Sequence, residues 1–279
     1  MSISIQTNVT SLFAQESLAT NTAFQSQTIQ RLTSGYRINN SGDDAAGLAV
    51  ANQFRSDIAE LSQGVRNAND GTSILQIVDG GLSNVSKILD RLKTLATESA
   101  TTTFSGNRTV LNNEFTTLLT EIDRQAANIG LSSAAGAASK YNTSIAVYIG
   151  GGSSQANAQV TIDLSGASNQ VDSTGLVLNG KTVDTTVNAL AALTAINTAI
   201  SALGTVQGKV GTGENLLQYA SSLANSQITN FSAAQSRIRD ADVAAEAANL
   251  TKAQTLQQSS IAALAQANSA PSAVLKLLQ

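Results

Sequence analysis

The sequence predicts a mainly α-helical protein, a long antiparallel helical bundle or coiled coil that carries a small β-hairpin insertion. Three observations lead to this fold class. Apolar residues recur at steps of three and four over long segments, the 279-residue chain contains one proline, and 4% of its residues are aromatic. Proline interrupts helices, and large aromatic side chains anchor thick cores. Long, thin, alanine-rich helices therefore fit this composition better than a thick globular core.

The clearest periodic segment predicts one long helix that packs against other helices. Steps of three and four residues place its apolar side chains on one face. At 1.5 Å per residue such a helix would be about 50 to 60 Å long. Its seam runs through Leu61, Val65, Ala68, Thr72, Leu75, Val78, Leu82, Val85, Leu89, Leu92 and Ala96.

Two further seams complete the predicted bundle. The first follows a turn at Ser105, Gly106 and Asn107, so the chain is expected to fold back as an antiparallel helical hairpin. The other lies far downstream and would add a third long helix. The second seam is Leu111, Phe115, Leu118, Ile122, Gln125 and Ile129, and the third is Leu217, Ala220, Ala224, Gln227, Phe231, Ala234 and Ile238.

Between these seams, at about residues 131–190, the pattern changes to short alternating runs rich in Gly, Ser and Asn. The runs 144–149 and 159–164 flank a loop at 150–152, which predicts a β insertion. The run 176–183 contains Asn179-Gly180, the strongest short hairpin-turn signal, and predicts a further hairpin.

The two ends of the chain carry weaker seams. Residues 1–34 and 240–279 have helical propensity, but Gln254, Gln257 and Asn268 stand where an isolated coiled coil would place leucine. Such helices are expected to become stable only against each other and against neighbouring subunits. Composition alone leaves a loose tail as an equal alternative.

Composition removes most catalytic and cofactor chemistry. The chain has no His, Cys or Trp, so the usual general base, thiolate nucleophile and soft metal ligands are missing. We expect no enzyme, no cofactor and no metal site.

A net charge of −3 without a basic stripe argues against nucleic acid and anionic membranes as partners. No stretch is expected to reach the roughly 18 apolar residues of a membrane span, and the N-terminus lacks a signal-peptide pattern.

Two local motifs have both a chemical and a structural interpretation. Adjacent carboxylates at Asp43 and Asp44 precede an apolar run and predict a helix start rather than a metal site. The glycines between Gly204 and Gly213 lack the Lys-Ser/Thr of a phosphate-binding loop. They predict a flexible kink or a close helix contact.

Long ungapped segments near both ends carry a family resemblance. The segment RLTSGYRINNSGDDAAGLAV, residues 31–50, resembles the N-terminal signature of bacterial flagellins, and residues 237–279 resemble the C-terminal one. The likeness covers about residues 1–130 and 205–279. It implies a minimal flagellin: residues 1–42 and 238–279 form a coiled-coil domain lining the filament channel, and residues 43–237 form the bundle with its β insertion.

The resemblance also implies a function, partners and a location. It implies a secreted subunit that polymerises with copies of itself into the flagellar filament for swimming motility. Export would use the flagellar type III apparatus without a cleaved signal peptide, with an export chaperone, a filament cap and hook-junction proteins as partners. The subunit interface would use apolar residues of the terminal helices: Val9, Leu12, Phe13, Leu18, Ile29, Leu32, Val243, Leu250, Leu256, Ile261, Leu264, Leu275 and Leu278.

The same resemblance implies a further partner and raises two alternative functions. The vertebrate Toll-like flagellin receptor would contact Arg91, Leu95 and Glu114, which match the family's contact positions. The same terminal architecture is also that of a hook-filament junction protein, which would not grow long homopolymers. A flagellin with a protease insertion would need an H-E-x-x-H motif, and a chain without His cannot supply it.

Overall fold

The computed structural model describes residues 7–134, 139–151 and 158–277, with side chains up to residue 269. It confirms a mainly helical fold with one small antiparallel sheet. The elements in chain order are α1 (Val9–Ser34), α2 (Ala45–Ala100), α3 (Arg108–Asn128), β1 (Ser144–Tyr148), β2 (Gln159–Asp163), a short 3-10 helix (Ala167–Asn169), α4 (Thr186–Arg239) and α5 (Val243–Leu277).

The chain forms two compact units. The terminal unit consists of Met1–Ser56 and Asn230–Gln279, and the central unit is Asp57–Thr229. Both α2 and α4 contribute residues to each unit. The domain boundaries expected from the sequence, at residues 42 and 238, stay predictions.

The core of the central unit forms along the predicted seams. Nine of the eleven seam positions on α2 are buried, from Leu61 to Ala96, and only Val65 and Thr72 are half-buried. On α3, Phe115 and Ile122 are fully buried. Helices α2 and α3 run antiparallel, because Arg91 near the end of α2 pairs with Glu114 near the start of α3 at 2.6 Å. The predicted helical hairpin is therefore confirmed.

Helix α4 begins 31 residues before the predicted seam, at Thr186 rather than Leu217. Its first four turns bury a face made mainly of alanine, with Ala189, Ala192 and Ala199 beside Ile196. Such a face is weakly apolar, and the glycines that follow suggest a break, so the periodicity is hard to detect. These glycines lie inside the helix, and a Cβ on Gly213 would stand 3.0 Å from Ile162. The close helix contact is thus confirmed at one of the glycines.

Strands β1 and β2 form the predicted insertion. They pair antiparallel with Ser144 opposite Asp163 and Tyr148 opposite Gln159. Gly150 and Gly151, in the connecting loop, have φ values of 83° and 80°, a region that suits glycine. Gly152 lies outside the described residues.

The second predicted hairpin, at 176–183, is wrong. Residues 171–185 form turns and irregular loop without strand pairing. The backbone of this loop bonds to side chains of α3 instead of a partner strand. The Ser173 N–H donates to Asp123 Oδ1 at 2.7 Å, and the Val183 N–H donates to Asn112 Oδ1 at 2.9 Å. The apolar residues Leu176, Leu178 and Val183 of this loop are buried.

The expectation that no stretch approaches a membrane span is wrong for one helix. Among the described residues, α4 alone is long and apolar enough to cross a membrane by length and composition. Only 33% of that apolar window is buried inside the protein. A core helix and a membrane helix can share such a composition, so the finding identifies an unusually apolar exposed helix rather than a membrane protein.

Two glycines of α2 provide a matched test of how closely the β insertion approaches this helix. A Cβ on Gly64 would overlap the Ile149 carbonyl group, whereas a Cβ on Gly80 would meet nothing within 4 Å. We predict that Gly64→Ala lowers the free energy of unfolding by about 1–3 kcal/mol through steric displacement. Gly80→Ala should raise it by about 0.5–1 kcal/mol through helix propensity.

Urea unfolding followed by circular dichroism measures both changes under identical conditions. Stabilisation by Gly64→Ala equal to that by Gly80→Ala would show that Ile149 does not contact α2.

Candidate assembly surface on the terminal helices

Capping residues define where the terminal helices begin and end. Helix α1 begins after Asn8, whose Oδ1 accepts the Ser11 N–H at 3.1 Å. It ends at Gly35, which has a φ of 72° and donates its N–H to the Arg31 carbonyl at 2.9 Å. Helix α5 begins after Asp242, whose Oδ1 accepts the Ala244 N–H at 2.9 Å. These local hydrogen bonds determine where α1 begins and ends and where α5 begins.

Helices α1 and α5 lie antiparallel and are joined by polar contacts along their length. Asn8 Nδ2 donates to the Ala267 carbonyl at 2.8 Å, and Asn21 Nδ2 donates to Ser260 Oγ at 2.8 Å. At the other end, Arg31 Nη1 lies 3.5 Å from Glu246 Oε1. This pairing agrees with the prediction that the two termini become helical against each other.

The face shared by α1 and α5 buries small and polar residues instead of leucines. On α1 the buried residues are Ser11 and Thr28. On α5 the described buried residues are Glu246, Ala253 and Ser260. Small polar side chains bury little apolar area, so this face contributes little hydrophobic stabilisation.

The predicted interface residues lie mostly outside this shared face. Most of those described are exposed, and the others are half-buried beside the partner helix. Phe13 is the most exposed, at 65%. The exposed residues are Val9, Leu12, Phe13, Ile29, Val243, Leu256 and Ile261, and the half-buried residues are Leu18, Leu32, Leu250 and Leu264. The side chains of Leu275 and Leu278 lie outside the described part.

Exposure of these residues leaves apolar area uncovered on both terminal helices. Full burial of one Val, Leu, Ile or Phe side chain is worth roughly 1.5–3 kcal/mol. Isolated exposed apolar residues are normal, but seven predicted contact residues exposed on two paired helices form a pattern typical of interaction surfaces. Covering these side chains with other protein would therefore add hydrophobic stabilisation to the terminal pair.

The connectors that follow α1 and α4 are bound to each other within the terminal unit. The Arg37 N–H donates to the Arg239 carbonyl at 2.7 Å, and the Ala241 N–H donates to the Gly35 carbonyl at 2.9 Å. The Arg239 guanidinium also lies 4.1 Å from the centroid of the Tyr36 ring. These contacts fix the directions in which α1 and α5 leave their neighbouring helices.

Asp43 and Asp44 have different roles at the start of α2. Asp44 Oδ1 accepts the Gly47 N–H at 2.8 Å and caps the helix, as predicted. Asp43 instead accepts the N–H groups of Asn39 and Asn40, each at 3.0 Å, and so binds the connector rather than the helix. Hydrogen bonds from Asn40 and Asn39 hold the pKa of the Asp43 carboxyl below its usual range. Within the described residues, no cluster of acidic groups could hold a metal ion.

The three residues matched to receptor contacts have different environments. Arg91 and Glu114 are exposed and form an ion pair, with Arg91 Nε donating to Glu114 Oε1 at 2.8 Å. Leu95 is fully buried in the central unit. The structure thus presents two of these side chains on the surface and keeps the third in the core. Receptor binding stays a prediction.

The fold and the exposed terminal surface together define a class, a helical structural subunit that assembles with copies of itself. Comparison with known proteins identifies the family. The family model described as bacterial flagellin N-terminal helical region matches residues 5–136, and the C-terminal helical region matches residues 193–278. The chain belongs to the bacterial flagellin family, and it is a structural subunit of the flagellar filament.

Similarity to curated relatives extends over nearly the whole chain. A flagellin of Halalkalibacterium halodurans is 33% identical over 278 residues, which cover 99% of both chains. The flagellar filament 33 kDa core protein of Treponema phagedenis is 32% identical, also over 99% of both chains. A flagellin of Listeria monocytogenes is 34% identical over 98% of this chain and 99% of its own. Flagellins form the bacterial flagellar filament, which is extracellular.

The hydrogen bonds to Asp43 predict a specific pH dependence. Because its pKa is lowered in the folded state, the unfolded state binds more protons as the pH falls. The stabilisation is complete above the unfolded value of about 3.9 and is lost as the pH drops through the folded value. Asp43→Asn should therefore lower Tm most near pH 6, and its difference from wild type should shrink below about pH 4.

Thermal melts between pH 2 and 7 measure this difference. Asp79→Asn, which changes an exposed carboxylate on α2, is the control and should follow the wild-type pH profile. A difference between Asp43→Asn and wild type that stays constant across this range would contradict the predicted role of Asp43.

Proposed function

We propose that the subunit polymerises by covering the apolar residues of α1 and α5 with the same helices of neighbouring copies. The observation that carries this proposal is the exposure of residues such as Phe13 and Ile261, at 65% and 52%, on a helix pair that buries small polar residues. Assembly would convert this exposed area into intersubunit core. A contact between different faces gives an open fibre when its rotation does not close into a ring.

Export and its partners belong to the same proposal. The chain has no Cys and one Pro, so no disulfide or multiple proline isomerisation steps would delay its refolding after passage through a narrow channel. We propose the flagellar type III apparatus as the route, without a cleaved signal peptide. An export chaperone, the filament cap and hook-junction proteins are the proposed partners, and the vertebrate Toll-like receptor is a further one.

We also propose that the subunit has no enzymatic activity. The chain lacks His and Cys, and the described residues include no group of three metal-ligating acids. The hook-filament junction protein is the alternative structural role. Full-length similarity to flagellins supports the filament subunit instead, because each of the three relatives compared above is named as a flagellin or a filament core protein.

Substitution of Ile261, an exposed residue of α5, tests the assembly proposal without changing the α1–α5 pair itself. Ile261 is 52% exposed, whereas Leu264 is half-buried beside α1. We predict that Ile261→Lys blocks growth on filament seeds, because it places a charge in an apolar contact. Leu264→Lys should block growth and also weaken the α1–α5 pair. Seeded elongation followed by electron microscopy measures growth, and circular dichroism measures helix content.

The control is Ser259→Lys, which adds the same charge at an exposed polar position of α5. It should elongate at a rate close to wild type. Deletion of the last 30 or so residues should abolish filaments while the α2–α3 hairpin stays helical, since the core of that hairpin lies in the central unit. Filaments grown from the deletion or from Ile261→Lys would disprove the proposal.

A further inference from the structure

The chain contains one Asn–Gly pair, and it lies in a tight turn on the surface of the central unit. Asn179 and Gly180 are the two middle residues of this turn, which the Lys181 N–H closes by donating to the Leu178 carbonyl at 3.1 Å. Both middle residues are exposed, whereas Leu178 is fully buried. The turn therefore presents the pair to solvent directly beside a residue of the core.

The peptide group between Asn179 and Gly180 makes no hydrogen bond with the described part of the chain. The Gly180 N–H has no acceptor there, the Asn179 carbonyl has no donor, and the Asn179 side-chain amide has no partner. Gly180 has a φ of 74°, and a Cβ at this position would meet nothing within 4 Å. Because glycine permits almost any φ, this peptide group can rotate within the turn without breaking a hydrogen bond of the protein.

We propose that Asn179 is a site of spontaneous modification, at which the backbone nitrogen of Gly180 attacks the asparagine side chain. The nitrogen loses its proton and forms a bond to Asn179 Cγ. The side-chain amide nitrogen leaves with that proton as ammonia, and the product is a five-membered succinimide ring. Water then opens the ring at either carbonyl carbon, which gives aspartate or isoaspartate. No electron is gained or lost, and water is the only co-reactant.

The Asp79–Gly80 pair on α2 shows what the turn contributes. Both residues are exposed, and a Cβ on Gly80 would also meet nothing within 4 Å. They lie inside the helix Ala45–Ala100, however, where N–H and C=O groups bond along the helix. Rotation of the peptide group between them would break two of these hydrogen bonds. Exposure and glycine are therefore common to both sites, whereas the unbonded peptide group distinguishes the turn.

The two products differ in their effect on the loop. Both carry a carboxylate in place of the amide, so each adds one negative charge to a chain whose net charge is −3. In aspartate the backbone keeps its length. In isoaspartate the backbone runs through the side-chain carbon and is one atom longer, directly beside the buried Leu178. Ion-exchange chromatography therefore separates modified from unmodified chains, and the longer backbone identifies isoaspartate.

Incubation of the folded full-length monomer at pH 8 tests the site. Tandem mass spectrometry follows conversion at residue 179. An isoaspartate-specific methyltransferase with labelled S-adenosylmethionine measures the isoaspartyl product, whose free α-carboxylate accepts the methyl group. We expect both products, because direct hydrolysis of the amide without a ring would give aspartate alone. Aspartate without isoaspartate, or an asparagine that stays intact while the unfolded chain converts, would overturn the proposal.

Asp79→Asn is the matched control, because it places an asparagine before Gly80 on α2. In the folded variant, residue 79 should convert at least tenfold more slowly than residue 179 of the same molecule. In urea the helix is lost, and the two sites should convert at rates within threefold of each other. Equal rates in the folded chain would overturn the proposal, as would a difference that is just as large in urea.

Two variants test the two reacting groups separately. Asn179→Gln keeps the amide but would need a six-membered ring, so conversion at residue 179 should be at least tenfold slower. Gly180→Ala adds a Cβ that hinders rotation and attack, and it should slow conversion at least fivefold. Because a φ of 74° disfavours alanine, circular dichroism must first show wild-type helix content, and Asn179→Gln decides if it does not. Conversion at the wild-type rate in a folded variant would overturn the proposal.

The modification site goes beyond the proposed assembly and does not depend on it. Asn179 lies in the central unit, and its conversion is measured in the monomer by mass. If residue 179 fails to convert, the modification site is wrong and the terminal-helix proposal stands. If residue 179 converts as expected and Ile261→Lys still elongates filament seeds, the modification site is supported and the terminal-helix proposal is wrong.

Discussion

The constraint on which the terminal unit depends is that α1 and α5 have no interior of their own. Two helices can bury one stripe each against the other, and here that stripe contains residues such as Ser11, Thr28 and Ser260. Most of the large apolar side chains named above, such as Phe13 and Ile261, are exposed instead. Hydrogen bonds between Asn8 and Ala267 and between Asn21 and Ser260 fix the register of the pair. They provide specificity at low hydrophobic gain, which leaves large apolar side chains of both helices uncovered within the subunit.

The central unit has the opposite distribution of apolar residues. Many of its leucines and isoleucines form a buried core to which α2, α3 and α4 all contribute, with Leu89, Phe115 and Ile196 fully inaccessible. Such a core supports folding before assembly. The two units therefore divide the tasks of a polymer subunit. One unit buries its large apolar residues within the chain, and the other leaves many of them exposed, as the proposed assembly requires.

Sequence periodicity could predict those parts of the fold in which large apolar residues mark the buried face. The seam from Leu61 to Ala96 and the pair β1–β2 belong to this group. The start of α4 could not be predicted in this way, because three of the first four residues that it buries are alanine and the glycines that follow resemble a break. The loop at 171–185 was also mispredicted, since its backbone partners are Asp123 and Asn112, which lie far away in sequence. Tertiary hydrogen bonds of this kind leave no local pattern.

The sequence could predict which residues of the terminal helices belong to the candidate surface, but not in which direction each side chain faces. A weak seam does not reveal which of its members face the partner helix and which face outward. The structure separates Leu18 and Leu264, half-buried in the α1–α5 pair, from Phe13 and Ile261, which are exposed. The exposed face of α4 escapes prediction for a related reason. Threonine counts as polar in a periodicity search, although the hydroxyls of Thr194 and Thr198 already donate to carbonyls of their own helix.

The terminal pair and the central unit also differ in how a contact would change their shape. Large aliphatic and aromatic side chains are exposed on α1 and α5, whose shared face is small and polar, whereas α2 and α3 share a buried apolar core. Contacts made by the folded central helices would change little in shape on binding, and contacts made by the terminal pair would order the helices that make them. A subunit built in this way could combine a central unit that keeps its shape with coupled folding and binding at the terminal helices.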